Sequence, residues 1–172
     1  MSTDDGSNRH GYREFSDFCR AHTERLVGFV IRLGASPADA EDVAQEVLLD
    51  LYESWDAVAR PECWVWSVAT RKYQRHFPLR HREIVTGTVP DRPMLVAPDD
   101  FAVQAEAAGL LWELLTLLPF QQRMVLAWRI DGFSHQEIAT GLSTTPAAVR
   151  ASAARARATL KETLRLRHEE AN

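Results

Sequence analysis

Cys19 and His22 stand three residues apart, a spacing that on a helix sets a thiol beside an imidazole. A metal site built on them needs a second half-site. The one other cysteine, Cys63, is distant in sequence, no CxxC pair occurs, and the six histidines are dispersed. Buried thiols are the better reading. The eight glycines are scattered, so no phosphate-cradling loop forms, and no nucleophile is grouped with a base. The sequence therefore calls for no enzyme, no catalytic residue, no metal and no cofactor.

The chemistry it does offer is that of binding. In "SPADAEDVAQEVLLDLYESW", Asp39, Asp42, Glu46, Asp50 and Glu53 form one stripe at helical spacing, with Gln45 at its edge. Val43, Val47, Leu48, Leu51, Tyr52 and Trp55 make the opposite, core-facing side. Single exposed ion pairs contribute only ~0.2–1 kcal/mol, so such a row matters when a complementary surface engages it as a whole. "CWVWSVATRKYQRH" sets Trp64 and Trp66 ahead of Arg71, Lys72 and Arg75. At least one of the two tryptophans is expected in the core.

The charge balance supports two kinds of partner. The net charge of −4 argues against a generally basic nucleic-acid coat. Residues 1–60 nevertheless hold 12 acids and 6 bases, and residues 61–83 hold 2 and 5. Residues 84–113 hold 5 and 1, and residues 114–172 hold 5 and 8. Alternating blocks of this kind fit a protein that meets a basic and an anionic partner at once.

These groups must be positioned by helices. Phe15, Phe18, His22, Leu26, Phe29, Val30 and Leu33 recur with helical spacing, and Gly34 falls where a C-cap belongs. Ser36 then caps a new helix with Pro37 at its first position. The aromatic and basic helix follows "DAVARPE" and is expected to stop near Phe77-Pro78. Residues 1–11 are polar, lack the apolar segment of a signal peptide, and are expected to be a disordered tail. Residues 84–103, "IVTGTVPDRPMLVAPDDFAV", contain three prolines and no sustained period, which marks a linker. As a flexible coil of ~20 residues it would span about 25 Å on average. Beyond it, from about Gln104, run four helical pieces divided by Pro119, "DGFS" and "STTP". The apolar run around Leu110–Leu118 is too short to cross a bilayer, so a soluble, cytoplasmic protein without membrane insertion is expected. The expected fold is all-α: two small helical domains, 12–83 and 104–172, on a flexible linker.

The second domain carries a helix-turn-helix. Ser134 and Glu137 make a capping box, and Ile138, Ala139 and Leu142 face inward. The chain turns through Ser143-Thr144, and Thr145-Pro146 open the next helix. Small Ala139 permits a close crossing, and Val149 packs back into the angle. From Pro146 onward Arg150, Arg155, Arg157 and Lys161 recur at helical spacing, a face suited to the major groove and its flanking phosphates.

"LGASPADAEDVAQEVLLDLYESW" resembles the most characteristic segment of the bacterial extracytoplasmic-function (ECF) sigma factors of the sigma-70 family. "WVWSVATRK" is similar to that family's promoter-opening helix, and "LTLLPFQQRMVLAWRIDGFSHQEIATGLSTTPAAVRASAARARATLKETL" to its C-terminal domain. Together these cover nearly everything except the tail and the linker. The resemblance implies that Asp39, Asp42, Gln45 and Glu46 dock on the β′ coiled coil of core RNA polymerase. It implies that Trp64, Trp66, Arg71, Lys72 and Arg75 serve the start-proximal promoter element, and that Arg150, Ala151, Ala154 and Arg155 read the upstream one. "DAVARPE" matches a loop that captures a flipped base, and the linker matches a connector through the polymerase active-site and RNA-exit region. The implied partners are core RNA polymerase, including its β flap, promoter DNA and, where one exists, an anti-sigma factor. Two departures bear on promoter preference: Arg71 stands where relatives carry Asn, and alanine replaces bulkier residues at Ala151, Ala153 and Ala154.

Two functions follow. One is a sigma factor that binds core polymerase, directs it to promoters and assists melting. The other is a stand-alone helix-turn-helix regulator, which leaves the acidic and aromatic helices without a role.

Overall fold

The computed structural model describes residues 5–77 and 102–170, with side chains over 11–77 and 109–169. Among the described residues seven α-helices run in order: α1 Asp5–Leu33, α2 Pro37–Glu53, α3 Pro61–His76, α4 Ala102–Thr116, α5 Phe120–Ile130, α6 His135–Gly141 and α7 Pro146–Glu170. A single 3-10 turn, Trp55–Ala57, lies between α2 and α3. Among the described residues there is no strand.

Local chemistry sets most boundaries. Gly34 adopts φ +116°, a left-handed value that a side chain resists, and α1 ends there. The Ser36 hydroxyl accepts the Asp39 amide at 3.2 Å and opens α2. Ser134 and Glu137 satisfy both halves of the capping box of α6, at 3.2 and 2.9 Å. Thr145 accepts from the Ala148 amide at 3.1 Å and starts α7. α3 stops at His76, with Phe77 as its C-cap. The start of α1 differs from expectation, because Asp5–Gly11 is helical rather than a disordered tail. Once Leu26–Leu33 is packed, adding further turns is cheap, so a helix extends past its last apolar residue. The linker, residues 84–103, lies outside the described residues except for Ala102 and Val103, which begin α4.

The two halves that the linker joins lie against one another over one continuous core. Leu26, Phe29, Val30 and Leu33 of α1 meet Val43, Val47 and Leu51 of α2 and Val65, Trp66, Ala69 and Tyr73 of α3. The same cluster continues into Met124, Ala127 and Trp128 of α5, then Phe133, Ile138, Ala139 and Val149. Burying each large side chain contributes about 1.5–3 kcal/mol. A smaller cluster of Leu115, Leu118 and Ala156, flanked by Leu126 and Leu160, ties α4 to α7. Arg123 of α5 is buried in the joint, donating to the Leu33 carbonyl at 3.0 Å and the Leu118 carbonyl at 3.3 Å. Its burial pulls the guanidinium pKa below the usual value.

α6 and α7 form the helix-turn-helix. Ala139 and Val149 are both buried at the crossing. Ser143 takes φ +51° in the turn, the one non-glycine residue with positive φ among those described. A glycine suits that backbone better.

Candidate docking and nucleic-acid interfaces

On α2 the core line is Ala40, Val43, Ala44, Val47 and Leu51. Asp42 and Gln45 are exposed, whereas Asp39 is half-buried beside its cap, its carboxylate accepting from the Ser36 hydroxyl at 2.7 Å. Glu46 and Asp50 turn toward α3, where the Lys72 ammonium lies 3.1 and 2.9 Å from their carboxylates, and His76 Nε2 is 3.8 Å from Glu46. Desolvation pulls the Lys72 pKa down, but the hydrogen bonds to Asp50 and Glu46 outweigh it, and the net shift is upward. The acidic stripe is thus split: one part is open and one part is engaged inside the molecule.

Two apolar residues join the open part. Leu49 is 64% exposed and Tyr52 is 52% exposed. Asp42, Gln45, Leu49 and Tyr52 step along α2 at intervals of three, four and three, which is a single line on a helix. Tyr52, expected in the core, instead lays its ring against Phe15 at 5.0 Å on the rim. Leu49 was not expected at the surface or in the core. Its position one turn beyond Gln45 was the available signal.

On α3 the tryptophans separate. Trp64 is half-buried, while Trp66 is completely buried. The Trp66 indole donates to the Asp131 carboxylate at 2.8 Å, and the Arg25 guanidinium lies 5.4 Å from its ring centre. Phe133 and Phe29 close around it at 5.5 and 5.9 Å. In this arrangement Trp66 cannot stack on a base, because it faces the other half of the chain. Lys72 is likewise turned to α2. Arg71 and Arg75 are exposed. Arg71 and Gln74 also line a cleft of about 500 Å³ shared with Gln121, Thr144 and Ser152.

On α7 the four expected residues do come together. Arg150, Ala151, Ala154 and Arg155 are all exposed, over a floor formed by buried Val149, Ser152, Ala153 and Ala156. Arg157 and Lys161 continue the exposed basic face toward the C-terminus. Such a helix presents few long side chains to base edges and several cations to phosphates.

The first thiol-imidazole pair has a structural explanation. His22 packs on Phe18 at 4.3 Å between centroids, and burial lowers its pKa. Burial raises both thiols, Cys19 and Cys63. Among the described residues no helix is long and apolar enough to cross a membrane.

The chain matches the family described as Sigma-70 region 2 over residues 18–83, and Sigma-70, region 4 over residues 108–160. It is 33% identical over 153 residues to the ECF RNA polymerase sigma factor SigD of Mycobacterium tuberculosis, across 84% of this chain and 69% of that one. It is 28% identical over 159 residues to the RNA polymerase sigma-E factor of Streptomyces avermitilis, across 90% of this chain and 87% of that one. The fold is similar to the sigma factor RpoE in complex with the anti-sigma factor NepR from Bartonella quintana. That likeness has a TM-score of 0.66 at 20% identity, over 89% of this chain and 98% of that one. CnrH in complex with the cytosolic domain of CnrY gives a TM-score of 0.66 at 19% identity, over 90% of each chain. With both regions in order, and α2 and the helix-turn-helix built as described, the chain belongs to the ECF sigma factors of the sigma-70 family, which direct RNA polymerase to promoters.

Proposed function

We propose that three surfaces of this sigma factor divide its work. The open line Asp42, Gln45, Leu49 and Tyr52, with Asp39 and Glu46 beside it, docks on a basic surface of core polymerase, the β′ coiled coil. The strip Arg150, Ala151, Ala154 and Arg155 meets the upstream promoter element, its arginines supplying nearly all direct readout. Trp64, Arg71, Lys72, Arg75 and, once uncovered, Trp66 serve the opening duplex, with Asp56–Glu62 as the loop that takes a flipped base. Residues 12–83 and 104–172 act as the two working domains, and residues 84–103 as the connector through polymerase. The protein acts in the cytoplasm and makes no bonds itself; polymerase does the chemistry.

The observation that carries this reading is the coexistence on one chain of an exposed acidic and apolar line on α2 and an exposed basic strip on α7. A stand-alone regulator accounts for the second and not the first. Run-off transcription with purified core polymerase on a genomic promoter library tests it. Asp42→Arg reverses charge at an exposed position that contributes nothing to the core. It should weaken polymerase binding by about tenfold or more in a fluorescence titration, with helical content unchanged. Unchanged affinity, together with no promoter-specific transcript from the wild-type chain, would overturn the proposal.

A further inference from the structure

The cleft of about 500 Å³ that opens between α3 and the helix-turn-helix has no part in polymerase docking or in upstream recognition as proposed above. Its size falls within the ~300–1,000 Å³ of small-molecule sites. Arg71 and Gln74 enter it from α3, Gln121 and Met124 from α5, and Thr144 and Val149 from the turn and α7. On each helix the residues named stand one turn apart, so each offers the cleft a continuous edge.

The polar groups of the lining fall into two sets. One set holds the walls: the Ser67 hydroxyl donates to the Gly141 carbonyl, Thr70 to the Trp66 carbonyl at 2.9 Å, and Ser152 to the Gln121 carbonyl at 3.4 Å. The other set is free. The side chains of Arg71, Gln74, Gln121 and Thr144 bond to no other described residue, which leaves one guanidinium, two carboxamides and a hydroxyl along the cleft. Among the described residues no carboxylate lines it, so an anion meets no repulsion there.

This free set describes its ligand. A single guanidinium matches one phosphate rather than a chain of them. A carboxamide sets a donor beside an acceptor, the pairing that meets the edge of a purine. Met124, Val125 and Val149 are buried and make an apolar floor, and a thioether favours contact with a flat aromatic ring. We infer that the cleft is a binding site for a nucleoside monophosphate. Arg71 holds the phosphate, Gln74 and Gln121 read the base edge, Thr144 meets the ribose, and the base lies over Met124. One half of the chain supplies α3 and the other supplies α5 and α7, so a bound nucleotide stabilises the folded arrangement of both and raises the melting temperature with its concentration. The site takes a free small molecule as ligand, and the inference does not depend on the surfaces proposed for polymerase or promoter.

The test uses the full chain alone, without polymerase or DNA. AMP is the probe, titrated calorimetrically beside adenosine, ribose 5-phosphate and inorganic phosphate. AMP should bind about tenfold tighter than each of the three, because only AMP engages the guanidinium and the carboxamides together. Arg71→Met should weaken AMP by about tenfold or more and leave adenosine unchanged, since it removes a charge-assisted contact to phosphate. Gln121→Leu should weaken AMP by about fivefold or more and leave ribose 5-phosphate unchanged. Arg71 and Gln121 are both exposed, so the two variants should melt as the parent chain does in the absence of ligand. Absence of AMP binding at millimolar concentration overturns the inference. AMP binding no tighter than ribose 5-phosphate or inorganic phosphate also overturns it, because Arg71 then holds an anion and nothing more. AMP binding that neither variant weakens overturns it as well, by placing the nucleotide elsewhere on the chain.

Discussion

The two helices proposed to touch DNA are built on opposite principles. α3 carries rich recognition chemistry, with rings, hydroxyls and bases, yet most of it is buried against one half of the chain or the other. α7 shows its proposed reading strip fully to solvent, yet half of that strip is alanine. A surface meant to be always available is chemically plain; the richer surface is covered.

The contrast between Trp64 and Trp66 gives the largest expected effect. Trp66→Ala should destabilise the chain by about 3–5 kcal/mol in thermal or denaturant unfolding, as a fully buried large ring does. Trp64→Ala, half-buried, should cost well under half of that and show its effect in promoter opening instead. Equal losses of stability would break the distinction between a structural and a DNA-facing tryptophan.

On α7 the effects should be smaller and should differ in kind. If Arg150 reads a base, Arg150→Ala loses about 1–3 kcal/mol of discrimination at one promoter position. A phosphate-holding Arg155 or Arg157, replaced by Ala, instead lowers affinity for all sequences and reduces the log-salt slope by about 0.9. A binding assay over a promoter library at two salt concentrations separates the two. If Arg150→Ala weakens every sequence equally, α7 holds phosphates only, and the contrast with α3 sharpens further.

The smallest effect concerns the hinge between α6 and α7. Ser143 pays for a left-handed backbone that glycine adopts freely, so Ser143→Gly should stabilise the chain by about 0.5–1 kcal/mol. The melting temperature should rise while promoter preference stays as it was. A fall would mean that the Ser143 side chain makes a contact worth more than the strain.

How much of this was legible in the residues follows a clear division. Features that depend on a few neighbouring residues were readable: the Gly34 stop, the Ser36 and Thr145 caps, the Ser134 and Glu137 box, and Ala139 and Val149 at the helix crossing. Their energetics are settled within one turn of chain. Positions whose fate depends on a distant segment were not. Tyr52 shares the periodicity of Leu48 and Leu51, but the Phe15 ring of α1 packs on it at the rim and leaves it half exposed. Lys72 reads as an exposed base and is held by Glu46 and Asp50 across the α2–α3 seam.

The amino-acid order alone determined seven helical pieces, several of their caps and a helix-turn-helix, because helix periodicity and capping are local. Only the tertiary structure decided which of those surfaces is open. Hydrophobic spacing states that a helix face is buried, but not against what; the burial of α3 on two sides, by its own half and by α5 and α6, comes from contacts as much as 74 residues apart in the chain. Burial of that kind is a property of shape and charge meeting across the molecule, and Trp66 bonded to Asp131 is where it becomes visible.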